Sequence, residues 1–322
     1  MRPLLKWAGG KRQLLQVLRR YYPVEFDRYL EPFVGSGAVF FDLCAAGRLA
    51  GRRVHLADMN ADLIGCYRVV RDDAEAVIAA LAALDVEHRE RGEACYYEVR
   101  DRRFNPARAA LGGRAAAAYT PSLAAMLMYL NRTGFNGLFR LNRQGAFNVP
   151  AGRYEDPRIC DAEHLRAVAR AFGAPGVSIE CAPFEATLSG AGARDFVYCD
   201  PPYAPLSRTA SFAQYTAAGF TARHQRELQQ AVVAAARRGA VVLLSNSSAP
   251  EIEEAYAGEE ARRAGLIVRR VPARRAINSL ASRRGPVVEL IVSNAAHVRG
   301  GLRMAKSPLR IARPGARTAS GD

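Results

Sequence analysis

The residues best placed to do chemistry are Asp200-Pro201-Pro202-Tyr203. They follow the apolar run Phe196-Val197-Tyr198-Cys199, which reads as a short buried strand that the two prolines end sharply. One strand end thereby presents a carboxylate, a rigid turn with an exposed backbone carbonyl, and an aromatic face. Such a set suits the exocyclic amine of a planar base: the carboxylate and the carbonyl accept its two N–H bonds while the ring stacks on the base. A Pro-rich turn with the Asp as a local cap explains the same four residues equally well, so the rest of the chain has to decide.

Two further clusters bear on that choice. Lysine is rare here: Lys6, Lys11 and Lys306 are the only three among 46 Lys+Arg. Lys6 and Lys11 flank Trp7-Ala8-Gly9-Gly10, which holds the only Trp. An ammonium and a guanidinium are not interchangeable where a compact point charge is needed, which favours a site over a surface cation near a turn. The other cluster is Glu31-Pro32-Phe33-Val34-Gly35-Ser36-Gly37. Gly35 and Gly37 let a ligand approach the backbone closely. Asp58 lies 21 residues beyond Gly37, where doubly wound folds offer a carboxylate to ribose hydroxyls. Gly-x-Gly alone is usually a tight strand-to-helix turn; with Asp58 it indicates an adenosine-containing ligand. The third glycine of a dinucleotide fingerprint is replaced by Phe40, and no G-x-x-x-x-G-K-[ST] loop exists, so no diphosphate cradle follows. A cofactor without phosphates, S-adenosylmethionine, fits better than a nicotinamide dinucleotide.

The elements that must position these clusters are legible from periodicity. Lys11–Tyr21 has helical spacing. Arg28–Phe33 reads as the first strand, followed by the glycine loop and an apolar helix start at Ala38. Arg53–Ala57 reads as the second strand and ends in Asp58. Residues 60–130 are helical in pattern, with a loop expected around Asn105–Arg114. Residues 131–153 have the Gly, Asn, Arg and aromatic content of a loop and hairpin. Strand-like runs recur at Val177–Cys181, Phe196–Cys199, Val241–Ser245, Ile267–Val271 and Val287–Val292, with helices at 161–172 and 221–237. Strands alternating with helices predict a mostly parallel α/β sheet with the helical block inserted after the second strand.

Composition bounds the partners. The chain has 322 residues, 49% of them apolar, and no run of 18 apolar residues, so a globular protein without a membrane span is expected. Lys6 interrupts any secretory h-region at once. The six cysteines are scattered without a C-x-x-C pair and H-E-x-x-H is absent, so reduced thiols and no metal site are expected. A net charge of +15 predicts a polyanionic partner, most simply nucleic acid. The Arg excess also suggests a coding bias, which weakens that inference. The Gly-, Arg- and Pro-rich tail beyond Ala295 holds six Lys/Arg against one Asp, and the remaining chain is still basic without it.

With these residues assembled, the chain resembles the Dam-type DNA adenine-N6 methyltransferases (the D12 class, alpha group). The matching blocks are LLKWAGGKRQLL (4–15), YLEPFVGSGAVFF (29–41), LADMNADLI (56–64), YLNRTGFNGLFRLNRQGAFNVPAGRY (129–154) and VYCDPPYAPLS (197–207). They run in the family's order, cofactor loop before target-recognition region before Asp-Pro-Pro-Tyr. The resemblance implies a Rossmann-like S-adenosylmethionine-dependent fold with a seven-stranded, mostly parallel sheet and a helical target-recognition insertion bearing a hairpin. It implies a catalytic domain in two parts, 1–61 and 157–294, around a recognition domain at 62–156, with a basic disordered tail at 295–322. It implies that Trp7, Lys11, Phe33, Gly35, Gly37, Asp58, Phe184 and Asp200 line the cofactor pocket, and that Asp200, Pro201, Pro202 and Tyr203 carry the chemistry. Lys6, Phe135, Asn136, Leu138, Arg140, Arg143, Pro150 and Arg153 would contact double-stranded DNA. Phe135, where the family more often has Tyr, would wedge into the base stack, and the pattern is similar to that of enzymes acting on GATC.

The implied reaction is direct methyl transfer to a flipped adenine, with no covalent intermediate. Cys199 adjoins the site, but no Pro-Cys dipeptide exists and a buried strand residue is expected there. The resemblance further implies a monomer in the cytoplasm of a bacterium or in a phage-infected cell, at the nucleoid, with a cognate restriction endonuclease as one conceivable counterpart. An RNA or protein-glutamine amine methyltransferase could use a similar tetrapeptide, although it would not need loop 131–153. A catalytically inactive DNA-binding protein is the alternative of a different class.

Overall fold

The computed structural model describes residues 1–7, 9–204, 220–274 and 286–295. The expected basic tail beyond Ala295 lies outside the described residues. Seven strands form one sheet: β1 (Arg28–Glu31), β2 (Arg53–Asp58), β3 (Val177–Cys181), β4 (Asp195–Cys199), β5 (Val241–Ser247), β6 (Ile267–Arg274) and β7 (Pro286–Ser293). Their spatial order is β3-β2-β1-β4-β5-β7-β6. β1 to β5 pair in parallel, and β7 runs antiparallel to both β5 and β6.

Alternation along the strands splits the core in two. Tyr29, Phe196, Tyr198, Leu243 and Ile291 face one cluster, and Leu30, Val197, Cys199, Val242, Leu244 and Leu290 face the other. β4 is buried along its whole length, as expected for a central parallel strand covered on both faces. The first cluster continues without a break into the inserted helices through Leu81, Tyr96, Phe104, Leu127 and Tyr129. The insertion therefore shares a core with the sheet. Helix Ala61–Asp72 is the shared wall: Arg68 Nε donates to the Ile179 carbonyl of β3 at 2.9 Å, and Asp62 accepts from Arg108 of the insertion at 2.8 Å.

Three expectations need correction. Lys11–Tyr21 is not one helix but a 3₁₀ turn at Lys11–Gln13, an α turn at Leu15–Leu18 and a 3₁₀ turn at Arg19–Tyr21. Three residues per turn stack Lys11 over Leu14 and Leu18 over Tyr21, and all four are buried. The first strand stops at Glu31, two residues short of the expectation, because Pro32 has no N–H for the ladder. The loop expected at Asn105–Arg114 is a helix, Asn105–Leu111, followed by a 3₁₀ turn at Gly112–Arg114. It follows directly on a π-helical turn at Val99–Phe104, with Pro106 in the first turn after the change of helix type. Asn105 is also recruited from outside: its side chain donates to the Phe147 carbonyl and accepts from the Phe147 N–H, at 3.0 and 2.8 Å.

Candidate active site and nucleic-acid interface

Four strand ends converge where the strand order reverses between β1 and β4, the crevice that doubly wound sheets use for ligands. β1 delivers Glu31 and the glycine loop, β2 delivers Asp58, β4 delivers Asp200–Tyr203, and β5 delivers Ser245–Ser247. The N-terminal segment closes over them. Lys11 Nζ lies 2.8 Å from Asp200 Oδ1, donates to the Gly9 carbonyl at 2.5 Å, and sits 4.4 Å from the centre of the Tyr203 ring. Lys11 is only 5% exposed. Burial pushes the Asp200 pKa up, and the Lys11 ammonium works against that shift. Ser245 Oγ donates to the same carboxylate oxygen at 3.0 Å and lies 3.1 Å from the Tyr198 hydroxyl. Tyr203 donates its hydroxyl to Glu289 of β7 at 2.5 Å, and burial holds that phenol well above its ordinary pKa, so it stays a donor.

The glycine loop is built for close approach. Gly35 and Gly37 take left-handed φ values of 43° and 67°. A Cβ at Gly35 would come within 3.1 Å of Trp7 Cδ1. The Gly35 N–H donates to Asp58 Oδ2 at 3.0 Å and the Asn60 N–H to Oδ1 at 2.9 Å, which fixes the carboxylate at the loop. Burial raises its pKa to about 6 despite those donors. Phe33 and Phe184 stack with centroids 5.6 Å apart at 27°, beside the same loop. Glu31, fully enclosed, accepts from Tyr29 at 2.8 Å, and burial drives its pKa well above the usual range. Cys199 is fully buried in β4, and burial raises its thiol pKa.

The second region is the hairpin at 134–151. Antiparallel bridges join Gly134 to Ala151 and Leu141 to Phe147. Asn142 closes its tip by accepting from the Gln144 and Ala146 N–H groups at 3.0 and 2.9 Å. Asn131 ties its base to the N-terminal segment, exchanging bonds with the Lys6 backbone at 2.8 and 2.7 Å and donating to the Gly137 carbonyl at 2.8 Å. Rings carry the connection further: Trp7 stacks on Phe139 at 5.5 Å, and Phe139 meets Phe147 at 5.7 Å. Phe135 is 41% exposed, and Asn136 beside it holds φ at 54°, a left-handed turn that Asn tolerates better than most residues. Arg140 is exposed but oriented, donating from Nε to Asn148 Oδ1 at 2.8 Å. Leu138 is half-buried, and Pro150 is exposed with its carbonyl accepting from the Phe135 N–H at 2.9 Å. Lys6 Nζ lies 3.3 Å from the Tyr154 hydroxyl. Arg143 and Arg153 are exposed and make no ion pair among the described residues.

Sequence reasoning missed Ser245-Asn246-Ser247, Gln225 and Glu289. The first three carried a signal, since polar residues end an otherwise apolar strand run. Gln225 and Glu289 carried none. Among the described residues no group of His, Cys, Asp and Glu could hold a metal ion, and no helix is long and apolar enough to cross a membrane.

The strand order and the loops at this crevice define a Rossmann-like methyltransferase. The chain belongs to the D12 class N6 adenine-specific DNA methyltransferase family, whose model matches residues 7–268. It is 35% identical over 294 residues to the type II methyltransferase M1.LlaDCHI of Lactococcus lactis subsp. cremoris, covering 91% of this chain and 95% of that one. It is 35% identical over 305 residues to the type II methyltransferase M.MjaIII of Methanocaldococcus jannaschii, covering 91% and 99%. The DNA adenine methylase of Escherichia coli K12 is 36% identical over 290 residues, covering 90% and 94%.

Proposed function

We propose that this protein transfers a methyl group from S-adenosylmethionine directly to N6 of an adenine turned out of duplex DNA, within the sequence GATC. The observation that carries the reading is the Lys11–Asp200 pair, which joins the rare, buried lysine of the N-terminal turn to the half-buried carboxylate of the amine-accepting turn. The crevice suits the cofactor. Gly35 and Gly37 give the loop its left-handed turns, Asp58 would offer its carboxylate to ribose hydroxyls, the stacked Phe33 and Phe184 would offer an aromatic surface to the adenine, and Trp7 and Lys11 would line the remainder. When bound, the cofactor supplies an electrophilic sulfonium methyl.

The chain's residues then do the rest. Flipping the adenine costs a few kcal/mol. Stacking on Tyr203 returns about 1–3 kcal/mol of it. The Asp200 carboxylate and the Pro201 carbonyl accept the two amine hydrogens and turn the nitrogen lone pair toward the methyl. Burial pushes the Asp200 pKa up and the Lys11 ammonium opposes that shift, which favours the ionised acceptor. Pro201 suits its role: its carbonyl accepts no hydrogen bond among the described residues, whereas those of Pro202 and Ala204 are both engaged. As the amine becomes cationic, Asp200 stabilises the charge, and the extra proton leaves to solvent. Preorganised charge and positioning provide the acceleration.

The hairpin is the reading surface. Phe135 wedges into the stack, Arg140 offers a guanidinium fork to guanine O6 and N7, and Leu138, Asn136 and Pro150 line base edges. Lys6, Arg143 and Arg153 supply positive charge. We assign the catalytic domain to residues 1–61 and 157–294 and the recognition domain to 62–156. Expression in a host without adenine methylation, followed by single-molecule sequencing, should mark adenine in GATC. Another motif would refute the sequence assignment alone. Label transferred from tritiated cofactor to RNA or protein, with none to DNA, would overturn the substrate class.

A further inference from the structure

Three fully or nearly buried polar side chains stand behind the catalytic turn and are not explained by the reaction itself. Gln225, on helix Ala222–Arg237, is 7% exposed, Asn246 is 0% and Ser247 is 5%. Burying such groups is costly unless each is bonded, and here each is. The Ser247 N–H donates to Asn246 Oδ1 at 2.8 Å, Asn246 Nδ2 donates to Gln225 Oε1 at 3.0 Å, and Gln225 Nε2 donates to the Pro202 carbonyl at 2.9 Å. Ser247 Oγ donates to the Ala204 carbonyl at 2.8 Å.

The direction of this chain is not arbitrary. A backbone N–H can only donate, so Ser247 forces Asn246 to present its oxygen there and its NH₂ to Gln225. Gln225 must then present its own oxygen to Asn246 and its NH₂ to Pro202. A main-chain donor on β5 thereby dictates which atom faces the Pro202 carbonyl, through two side-chain amides. We propose that Asn246 and Gln225 form a polarity relay that holds the Pro202 carbonyl inward, so that the Pro201 carbonyl alone of the two faces the substrate amine and the Tyr203 ring is set for stacking. Both are positioning residues. The inference rests on the reading of Asp200–Tyr203 as the amine-accepting turn.

The relay predicts a specific pattern. In Gln225→Glu the carboxylate still accepts from Asn246 but turns a lone pair toward the Pro202 carbonyl. When that Glu is protonated, its O–H donates to the same carbonyl and the relay is restored. Gln225→Met removes the donor without adding repulsion. The test is the single-turnover rate of methyl transfer from tritiated S-adenosylmethionine to duplex DNA, taken as a ratio to the native protein at each pH from 6 to 8.5, with cofactor affinity measured by calorimetry. The Gln225→Glu protein should be about 10- to 100-fold slower at pH 8 and should recover toward the native rate as pH falls. Gln225→Met should be slowed less, without that recovery, and both should bind cofactor within about twofold of the native protein. Asn246→Asp, which draws the Gln225 NH₂ away from Pro202, should match the Gln225→Glu loss at pH 8. A native rate for Gln225→Glu, or a deficit independent of pH, would overturn the relay. If Gln225→Glu does not fold, a native rate in Gln225→Met overturns it instead. Asp200→Ala separates the two readings: full methylation by that variant refutes the catalytic turn itself, whereas a dead Asp200→Ala beside an unaffected Gln225→Glu refutes only the relay.

Discussion

The Asp200–Tyr203 turn, proposed to accept the substrate amine, and the hairpin are held in opposite ways. At Asp200–Tyr203 the side chains themselves are half-buried and bonded: Asp200 to Lys11 and Ser245, Tyr203 to Glu289. At 134–151 the backbone is pinned, by Asn131, Asn142 and the Phe135–Pro150 bond, while Phe135, Arg140, Arg143 and Pro150 project into solvent. A group that must meet a developing charge gains from being fixed before the substrate arrives. Groups that read a partner gain from a firm base with side chains able to settle on the base edges. The N-terminal segment lies between the two: its Trp7 stacks on Phe139 of the hairpin and its Lys11 pairs with Asp200.

The sharpest way to break the contrast is at its buried end. Asp200→Ala should lower single-turnover methylation by at least about 10²–10³-fold while leaving DNA affinity by fluorescence anisotropy nearly unchanged. Lys11→Met should be next, at about 10- to 100-fold. It should also move the acid limb of the rate profile to higher pH, because the proposed reaction uses ionised Asp200, which loses the charge that lowers its raised pKa. An acid limb that stays in place would sever Lys11 from that role.

At the exposed end, Arg140→Ala should weaken discrimination at one guanine by about 1–3 kcal/mol, read as methylation of near-cognate oligonucleotides, with the rate on GATC falling less than in the Asp200 variant. A uniform loss on every sequence would make Arg140 a backbone contact. Asp58 joins chemistry to stability with opposite signs. Its folded pKa of about 6 lies above the ordinary 3.8. Its contribution to folding in the absence of cofactor is therefore complete below about 4 and is lost as pH rises to about 6. Cofactor affinity, which under the proposed ribose contact needs the ionised form, should rise across that same interval. Thermal unfolding and calorimetry at pH 5 and 7 test both, and Asp58→Asn should abolish both dependences. The smallest effect should be that of Cys199→Ser, which should retain most methylation; a loss as deep as that of Asp200→Ala would refute direct transfer.

Most of the sheet was legible in the chain. Val177–Cys181 was read residue for residue, and β2, β4 and β5 within about two residues, because buried strands between turn residues leave few other ways to bury their apolar runs. The helix Asn105–Leu111 was missed because Asn-Pro reads locally as a breaker, while its stability comes from Phe147 and Asp62, distant in the chain. Of the candidate site, the strand-end motifs were visible, since each needs only its own turn.

What the sequence by itself determined is the inventory: a carboxylate, a proline turn and an aromatic ring after one strand, a glycine loop after another, an acid after a third, and a basic chain around them. Each is a local consequence of residue type and spacing. Only the tertiary structure decided how they act on one another. Lys11 meets Asp200 across 189 positions of chain, Glu289 on an antiparallel strand accepts from Tyr203, and Gln225, itself accepting from Asn246, donates to the Pro202 carbonyl. Those pairings depend on strand order and on which polar groups are buried together. Neither is a property of any short segment, since a buried donor is bonded to whichever acceptor the fold brings within reach.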